Sequence, residues 1–399
     1  MQLDTANHRL SLDPRDPAFY QDPYPAYQRL HEEAPVVYWE EFERWCFLRQ
    51  RDVSAILRDR RFGRSMAQLD DAAVSEPTLA VDRFSLLEME PPSHTRLRRL
   101  VQGAFIARQI ERLRPRIEAL CHELIDRMEE GVRADLLPAF ATPIPVIVIA
   151  ELLGVPTEMS DRLLAWSHAM VAVYELGPSA EQIAQARRSA DEFVAFLRDY
   201  VRRRRSEPRE DLLTKLIEAE EDGDRLSEDE LISTCILLLN AGHEATVNVI
   251  GNGTLALLQN PEQLEGWRAD SERTASAIEE LLRFDTPLHL FNRWVLEDLT
   301  VGDLELKKGM EISLLLGAAN RDPQAFEEPH RLDLTRSPNH HVSFGAGLHY
   351  CLGAPLARLE LQIALPILWE RLPRLALVGE QRFKNSYHFR GLESLWVEY

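Results

Sequence analysis

Apolar residues recur three and four positions apart from Pro91 to about Leu282, in runs such as HTRLRRLVQGAF and SADEFVAFLRDYVRRRR. That period matches one face of an α-helix, so this stretch is predicted to be nearly all helical. Ahead of it, Pro25 opens a short helix to about Glu33. VVYWE and WCFLR, residues 36–40 and 45–49, then predict a β-hairpin. After Arg283 the pattern changes. RWVLEDLTVGDLELKKGMEISLLLGAAN alternates apolar with polar positions, places Gly302 and Gly309 at turns, and reads as short strands. Residues 320–341, NRDPQAFEEPHRLDLTRSPNHH, have no period and many turn formers. A structureless loop of this length is uncommon and usually functional. The chain shows no repeats and no Gly/Ser-rich linker, so residues 1–399 read as a single, mainly α domain with a smaller β region.

One predicted helix is unusually long. Ser227 and Glu230 form a capping box, the period continues to Asn260, and Pro261 opens the next helix. About 33 residues at 1.5 Å each span about 50 Å, the width of a domain. In its middle stands NAGHEAT, residues 240–246. A glycine there costs about 1 kcal/mol relative to alanine. Gly242, an acid and a threonine inside an apolar helix point to a site as well as to packing.

Composition narrows the class. Apolar residues are 45% of the chain, enough for a large core. The net charge of −19 argues against nucleic acid as a partner. The run Arg202–Arg205 is its one basic block and reads as a solvated helix end. The four cysteines, Cys46, Cys121, Cys235 and Cys351, have no paired spacing, which fits a reducing compartment. The N-terminus has no apolar run or cleavage site, and no apolar stretch is long enough to span a bilayer. A cytoplasmic protein without a membrane anchor is expected.

The chemistry concentrates in HVSFGAGLHYCLGAP, residues 341–355. Cys351 lies in a glycine-rich bend, and Pro355 suits the first turn of a helix behind it. The positive end of that helix favours a thiolate. Glycines at 345, 347 and 353 let the backbone approach something large and flat. As a nucleophile Cys351 would want a base with an orienting partner, and His349 has no local acid or amide to orient it. As a zinc ligand it lacks a second pair at usable spacing. The C-x-x-C-H pattern of covalent haem attachment is missing. A single thiolate ligating haem iron fits best.

Phe344, Gly345, Gly347, His349, Cys351 and Gly353 match F-G-x-G-x-H-x-C-x-G, the cysteine-ligand signature of the cytochromes P450. The chain resembles the soluble bacterial members of that family along nearly its whole length. The resemblance implies the P450 fold, with the long helix lying over haem b and Cys351 on the iron. Phe344, Gly345, Gly353 and Ala241 would then line the haem. His94 and Arg98, four apart in PPSHTRLRRL, would pair with its propionates, as would Arg293 and His349. Glu280 and Arg283 in ELLR look like the family's structural E-x-x-R, locked to the following loop near Arg331. Taken without the resemblance, such a pair is a surface ion pair worth a few tenths of a kcal/mol.

AGHEAT, residues 241–246, resembles the family's oxygen-binding motif. Ala241 and Gly242 would leave room for dioxygen, and Glu244 would relay protons. The usual threonine after the acid is replaced by Ala245, and the hydroxyl comes one residue later, at Thr246. One step along a helix turns about 100°, so Thr246 is no simple substitute. A substrate hydroxyl or an ordered water would complete the relay. HEATV also lacks the second histidine of a zinc protease. Pro366, in the helix behind the cysteine, is expected to kink it.

The resemblance implies a monooxygenase that inserts one atom of O2 into a C–H bond of a mostly apolar small molecule carrying a polar group. Its pocket would take in the segment before Pro91, residues near Met170–Tyr174, and Leu238, Leu288, His289, Leu290, Phe291 and Phe389. His289 would bind a substrate oxygen, or would face a carbonyl or solvent. Electrons from NAD(P)H would arrive through a ferredoxin and its reductase, docking near Arg99 or Arg108, on a monomer. A peroxide-driven peroxygenase and a non-catalytic haem sensor are the alternatives.

Overall fold

A computed structural model describes residues 1–65, 79–104, 107–221 and 223–399. Contacts sort the chain into two units, one of residues 1–62, 115–142 and 245–399, the other of 63–114 and 143–244.

The first unit carries the sheet. Its strands include β1 (Gln2–Asp4), β2 (Arg9–Ser11), β3 (Val36–Trp39), β4 (Arg44–Phe47), β5 (Leu290–Val295) and β6 (Glu311–Leu315). Within a seven-stranded sheet they run in the order β1-β2-β3-β4-β6-β5. The expected hairpin is β3 with β4, joined by a short 3₁₀ turn. β6 lies parallel to β4 and antiparallel to β5, opposing Ile312 to Arg293. Gly302 and Gly309 take φ of +59° and +88°, as turns at those places demand. Residues 320–341 hold no helix or strand, in agreement with their missing period.

The helices α1 (Tyr24–Glu33) and α2 (Gln50–Arg58) belong to the first unit, and α3 (Ser93–Ala104) and α4 (Pro143–Leu153) to the second. α5 (Ser160–Val171) and α6 (Ala180–Ser206) follow in the second unit. The long helix, α7, spans Glu228–Gln259, 32 residues. Its capping box forms in both directions: the Glu230 amide donates to Ser227 Oγ at 3.2 Å, and the Ser227 amide to Glu230 Oε2 at 2.8 Å. α7 begins in the second unit and ends in the first. α8 (Thr274–Phe284) and α9 (Ala354–Arg371) complete the first unit's main helices. Pro366 lies inside α9, which continues past it to Arg371.

The arginine run departs from expectation at one residue. Arg202, Arg203 and Arg205 are exposed at the end of α6, but Arg204 is buried. It pairs with Asp211 and donates to the Gly154 carbonyl at 3.0 Å. Helical spacing turns this one member of four inward. No helix among the described residues is long and apolar enough to cross a membrane.

Candidate active site

The bend at 341–355 is held from beneath. Asn320 receives the Val342 amide at 2.8 Å and donates to Ser343 Oγ, which donates to the Leu282 carbonyl. Val342 and Ala346 are buried in one apolar cluster with Leu57, Val295 and Ile312. Gly345 and Gly347 adopt φ of +67° and +70°, where side chains are disfavoured. Gly347 is also boxed in: a Cβ there would run into the Leu57 carbonyl and lie 2.9 Å from Arg58 Cα. A Cβ at Gly345 would press on the Phe291 ring at 3.2 Å, so β5 reaches the bend through Phe291.

Cys351 closes the bend. Its amide donates to the Phe344 carbonyl at 3.0 Å, and α9 starts three residues later with Gly353 as its cap. Among the described residues it is the exposed thiol; Cys46, Cys121 and Cys235 are buried, and burial pushes each of those up to about 12. A thiol meant for packing is hidden and protonated, whereas Cys351 is presented at the positive end of a helix.

A charged clamp, only half legible in the sequence, supports the bend. Glu280 and Arg283 are wholly buried and joined by bonds of 2.7 and 2.8 Å. Arg283 also donates to the carbonyls of Asn320, Pro329 and Arg331. Glu280 accepts from the Asp333 amide, Asn339 and Arg336. The pair is therefore no surface ion pair. The side chain that meets it is Arg336, while Arg331 contributes its carbonyl and turns its guanidinium out to Glu328. Glu279, next to Glu280, was not singled out by sequence. It accepts two bonds from Arg358, at 2.6 and 2.8 Å, and faces His341 Nε2 at 3.0 Å. Burial works against its charge, but the bonds from Arg358 and His341 outweigh that and hold its pKa at about 2. Arg358 lies 4.5 Å over the Phe344 ring and donates to Tyr350, so α8, α9 and the bend are tied together. The only sequence signal was position: Glu279 adjoins E-x-x-R, and Arg358 lies two turns beyond the cysteine.

Arg293 is buried on β5 with its guanidinium over Phe291, and His349 is half-buried in the bend. In the second unit, His94 is buried on α3 and Arg98 follows half-buried one turn later. Arg99 is exposed, and the side chain of Arg108 lies outside the described residues, as does part of the segment before Pro91.

On α7, Leu238 is buried, Ala241 is exposed and Ala245 half-exposed, while Val247–Leu257 are buried. Gly242 lets α7 approach α4, since a Cβ would lie 3.3 Å from Ile149. Glu244 Oε2 stands 3.4 Å from the exposed His168 Nε2 of α5. Thr246 is buried.

Of the pocket residues, Leu288 and Phe389 meet through a β-bridge, and both are half-buried like Phe291. Leu290 is buried. His289 departs from the expected pocket. It is buried in an aromatic cage of Tyr24, Tyr27 and Tyr387, with Nδ1 2.8 Å from the Tyr27 hydroxyl. Burial, aided by Arg390 and Arg321, holds its pKa well below the usual histidine value, so the ring is neutral there. It sits just ahead of β5, where packing against these tyrosines turns it inward.

In the first unit, a presented thiol, a glycine bend with no room for a Cβ at Gly347 and the buried Arg293 fit haem with a thiolate ligand. Residues 67–387 match the sequence profile described as Cytochrome P450. The chain is 40% identical to the polyketide biosynthesis cytochrome P450 PksS of Bacillus subtilis (strain 168), over 98% of each chain. It is 42% identical to mycinamicin IV hydroxylase/epoxidase of Micromonospora griseorubida, over 88% of each. It superposes on P450BioI, solved in complex with acyl carrier protein carrying hexadec-9Z-enoic acid, with a TM-score of 0.90 and 36% identity, covering 96% of this chain and 100% of that one. The fold and these relatives define an oxidoreductase of the monooxygenase class. The chain belongs to the cytochrome P450 family, whose members use haem and dioxygen.

Proposed function

We propose that this P450 hydroxylates a small, mostly apolar molecule bearing a polar group, as one catalytic domain in the cytoplasm. The observation that carries the reading is the exposed Cys351 thiol at the head of α9, set against three buried thiols. Cys351 would hold haem b; the bound group supplies dioxygen activation, and a thiolate ligand favours O–O cleavage. His94, Arg98, Arg293 and His349 would neutralise its propionates. Phe344, Gly345, Gly353 and Ala241 would line it. Glu280 and Arg283 do no chemistry and fix the bend. Glu244 passes protons from its half-exposed position, and Gly242 keeps that turn of α7 bare. Ala245 offers no hydroxyl and Thr246 is buried, so a hydroxyl of the substrate or a water completes the proton path. Leu238, Leu288, Leu290, Phe291 and Phe389 supply apolar walls.

The name of PksS, a polyketide biosynthesis enzyme, supports a polyketide as substrate class, and the mycinamicin IV hydroxylase/epoxidase supports hydroxylation as the reaction. The carrier protein in the P450BioI complex favours a second reading, an acyl chain delivered on its carrier. Electrons from NAD(P)H come through a separate ferredoxin and reductase. Reduction with dithionite followed by carbon monoxide tests the ligand. The thiolate-type ferrous–CO band is expected, and its replacement by a histidine-type band in the unaltered protein would overturn the assignment. Product formation with a ferredoxin system, and none with peroxide alone, separates the monooxygenase from the peroxygenase and the sensor.

A further inference from the structure

HEATV offers no second histidine at helical spacing, but the tertiary fold brings one. His168 stands in the last turn of α5, and His243 and Glu244 are consecutive on α7. His168 Nε2 lies 3.4 Å from Glu244 Oε2, and His243 Nε2 lies 3.8 Å from the same oxygen. All three ligand atoms lie within 4.8 Å of one another.

Two features make this more than a chance gathering. His243 Nδ1 is 2.9 Å from the Leu239 carbonyl. A carbonyl only accepts, so Nδ1 carries a proton, and in the neutral ring Nε2 turns a lone pair toward Glu244. That bond is the kind that orients histidine ligands in metal sites. Moreover, an imidazole lone pair and a carboxylate are both acceptors, and what two acceptors share well is a cation. In a four-coordinate zinc site with bonds of about 2.1 Å, ligand atoms sit about 3.4 Å apart. Two separations are already close to that. The remaining gap closes by rotating His168, whose side chain is 54% exposed and gives an ion its way in.

We propose that His168, His243 and Glu244 form a binding site for a divalent transition-metal cation of the zinc class, with water completing the shell. Imidazole nitrogen with one carboxylate suits this class over calcium or magnesium. Bound metal occupies Glu244 and so slows turnover; this consequence rests on the proton-delivery role given to Glu244 above.

The test uses the haem-loaded enzyme dialysed against zinc chloride, with bound zinc counted by elemental analysis. One equivalent per chain is expected. His168→Ala removes an exposed ligand without disturbing the core, and should weaken that equivalent by at least about tenfold. The exposed His8→Asn should leave it unchanged. Wild-type zinc affinity in His168→Ala, or no stoichiometric zinc in the unaltered enzyme, overturns the site. Glu244→Gln, which keeps size and loses charge, gives a second reading of the same loss. Turnover is then measured with and without zinc, each variant against its own zinc-free rate. Inhibition that disappears in His168→Ala supports both halves. Zinc bound with turnover unchanged upholds the site and removes Glu244 from proton delivery, so the two readings fail separately.

Discussion

Glu280 and Glu244 are both acids on helices of this chain, and their surroundings are opposite. Glu280 has no exposure and accepts bonds from Arg283, Arg336, Asn339 and a backbone amide. The Glu244 side chain is 14% exposed and has imidazoles as neighbours. The first acid is enclosed by two guanidinium groups and a backbone amide. The second stands beside one exposed imidazole, that of His168, and one buried one, that of His243. A clamp needs the former, and a group that must gain and lose protons needs the latter. The same residue type is thus a static clamp in one place and, in the role proposed for it, a proton carrier in the other.

On a scale of stability, the comparison breaks first at the clamp. Arg283→Ala leaves Glu280 buried without its main partner and should cost about 3–5 kcal/mol. Little folded, haem-bearing protein is expected, read by thermal melting and the haem-to-protein ratio. A mild effect would mean that Arg336 alone satisfies Glu280. Gly347→Ala comes next, at about 1–3 kcal/mol, because it forces a side chain into the left-handed region against Leu57. It should also diminish the thiolate-type CO band, since the bend carries Cys351.

Glu279→Gln should be smaller and dependent on pH. The folded protein holds this carboxyl at about 2, below its ordinary 4.5. Its stabilisation is therefore complete above pH 4.5 and is lost as pH falls toward 2. Urea midpoints of the variant should lie below those of the unaltered protein by a constant amount at pH 6 and pH 8. The gap should narrow at pH 3.5. A gap that widens in acid would show that Glu279 does not carry the charge assigned to it.

Glu244→Gln should change stability by less than about 0.5 kcal/mol. Its effect belongs to turnover, lowered about 100-fold if it moves protons, while substrate binding persists. Ala245→Thr should be the mildest change for the fold. Where the substrate supplies the missing hydroxyl, added threonine gives no uniform gain in product per NADH. A gain on every substrate would remove the substrate's part in the proton path.

Much of this was legible beforehand where the information is local. The capping box at Ser227 and Glu230, the length of α7, the β3–β4 hairpin and the glycine-rich bend all follow from spacing inside one element. Cys351 stood out by its place in that bend, whereas the E-x-x-R pair was singled out through the family resemblance, since its spacing alone reads as a surface ion pair. Arg204 and His289 were not, because a run of arginines looks solvated and a histidine near a pocket looks polar until packing turns it inward. Glu279 and Arg358 carried no pattern of their own beyond standing near residues that did.

The sequence by itself determined the periods, the turns and the order of chemical groups along each element, since backbone geometry converts spacing into a shared face. Only the tertiary structure decided which distant groups meet: Arg336 with Glu280, Arg358 with Glu279, Tyr27 with His289, and His168 with Glu244. Those meetings depend on how elements pack, and distance along the chain carries no record of that. The burial and charge that set each group's state arise from the same packing, which is why two glutamates alike in sequence differ in what they can do.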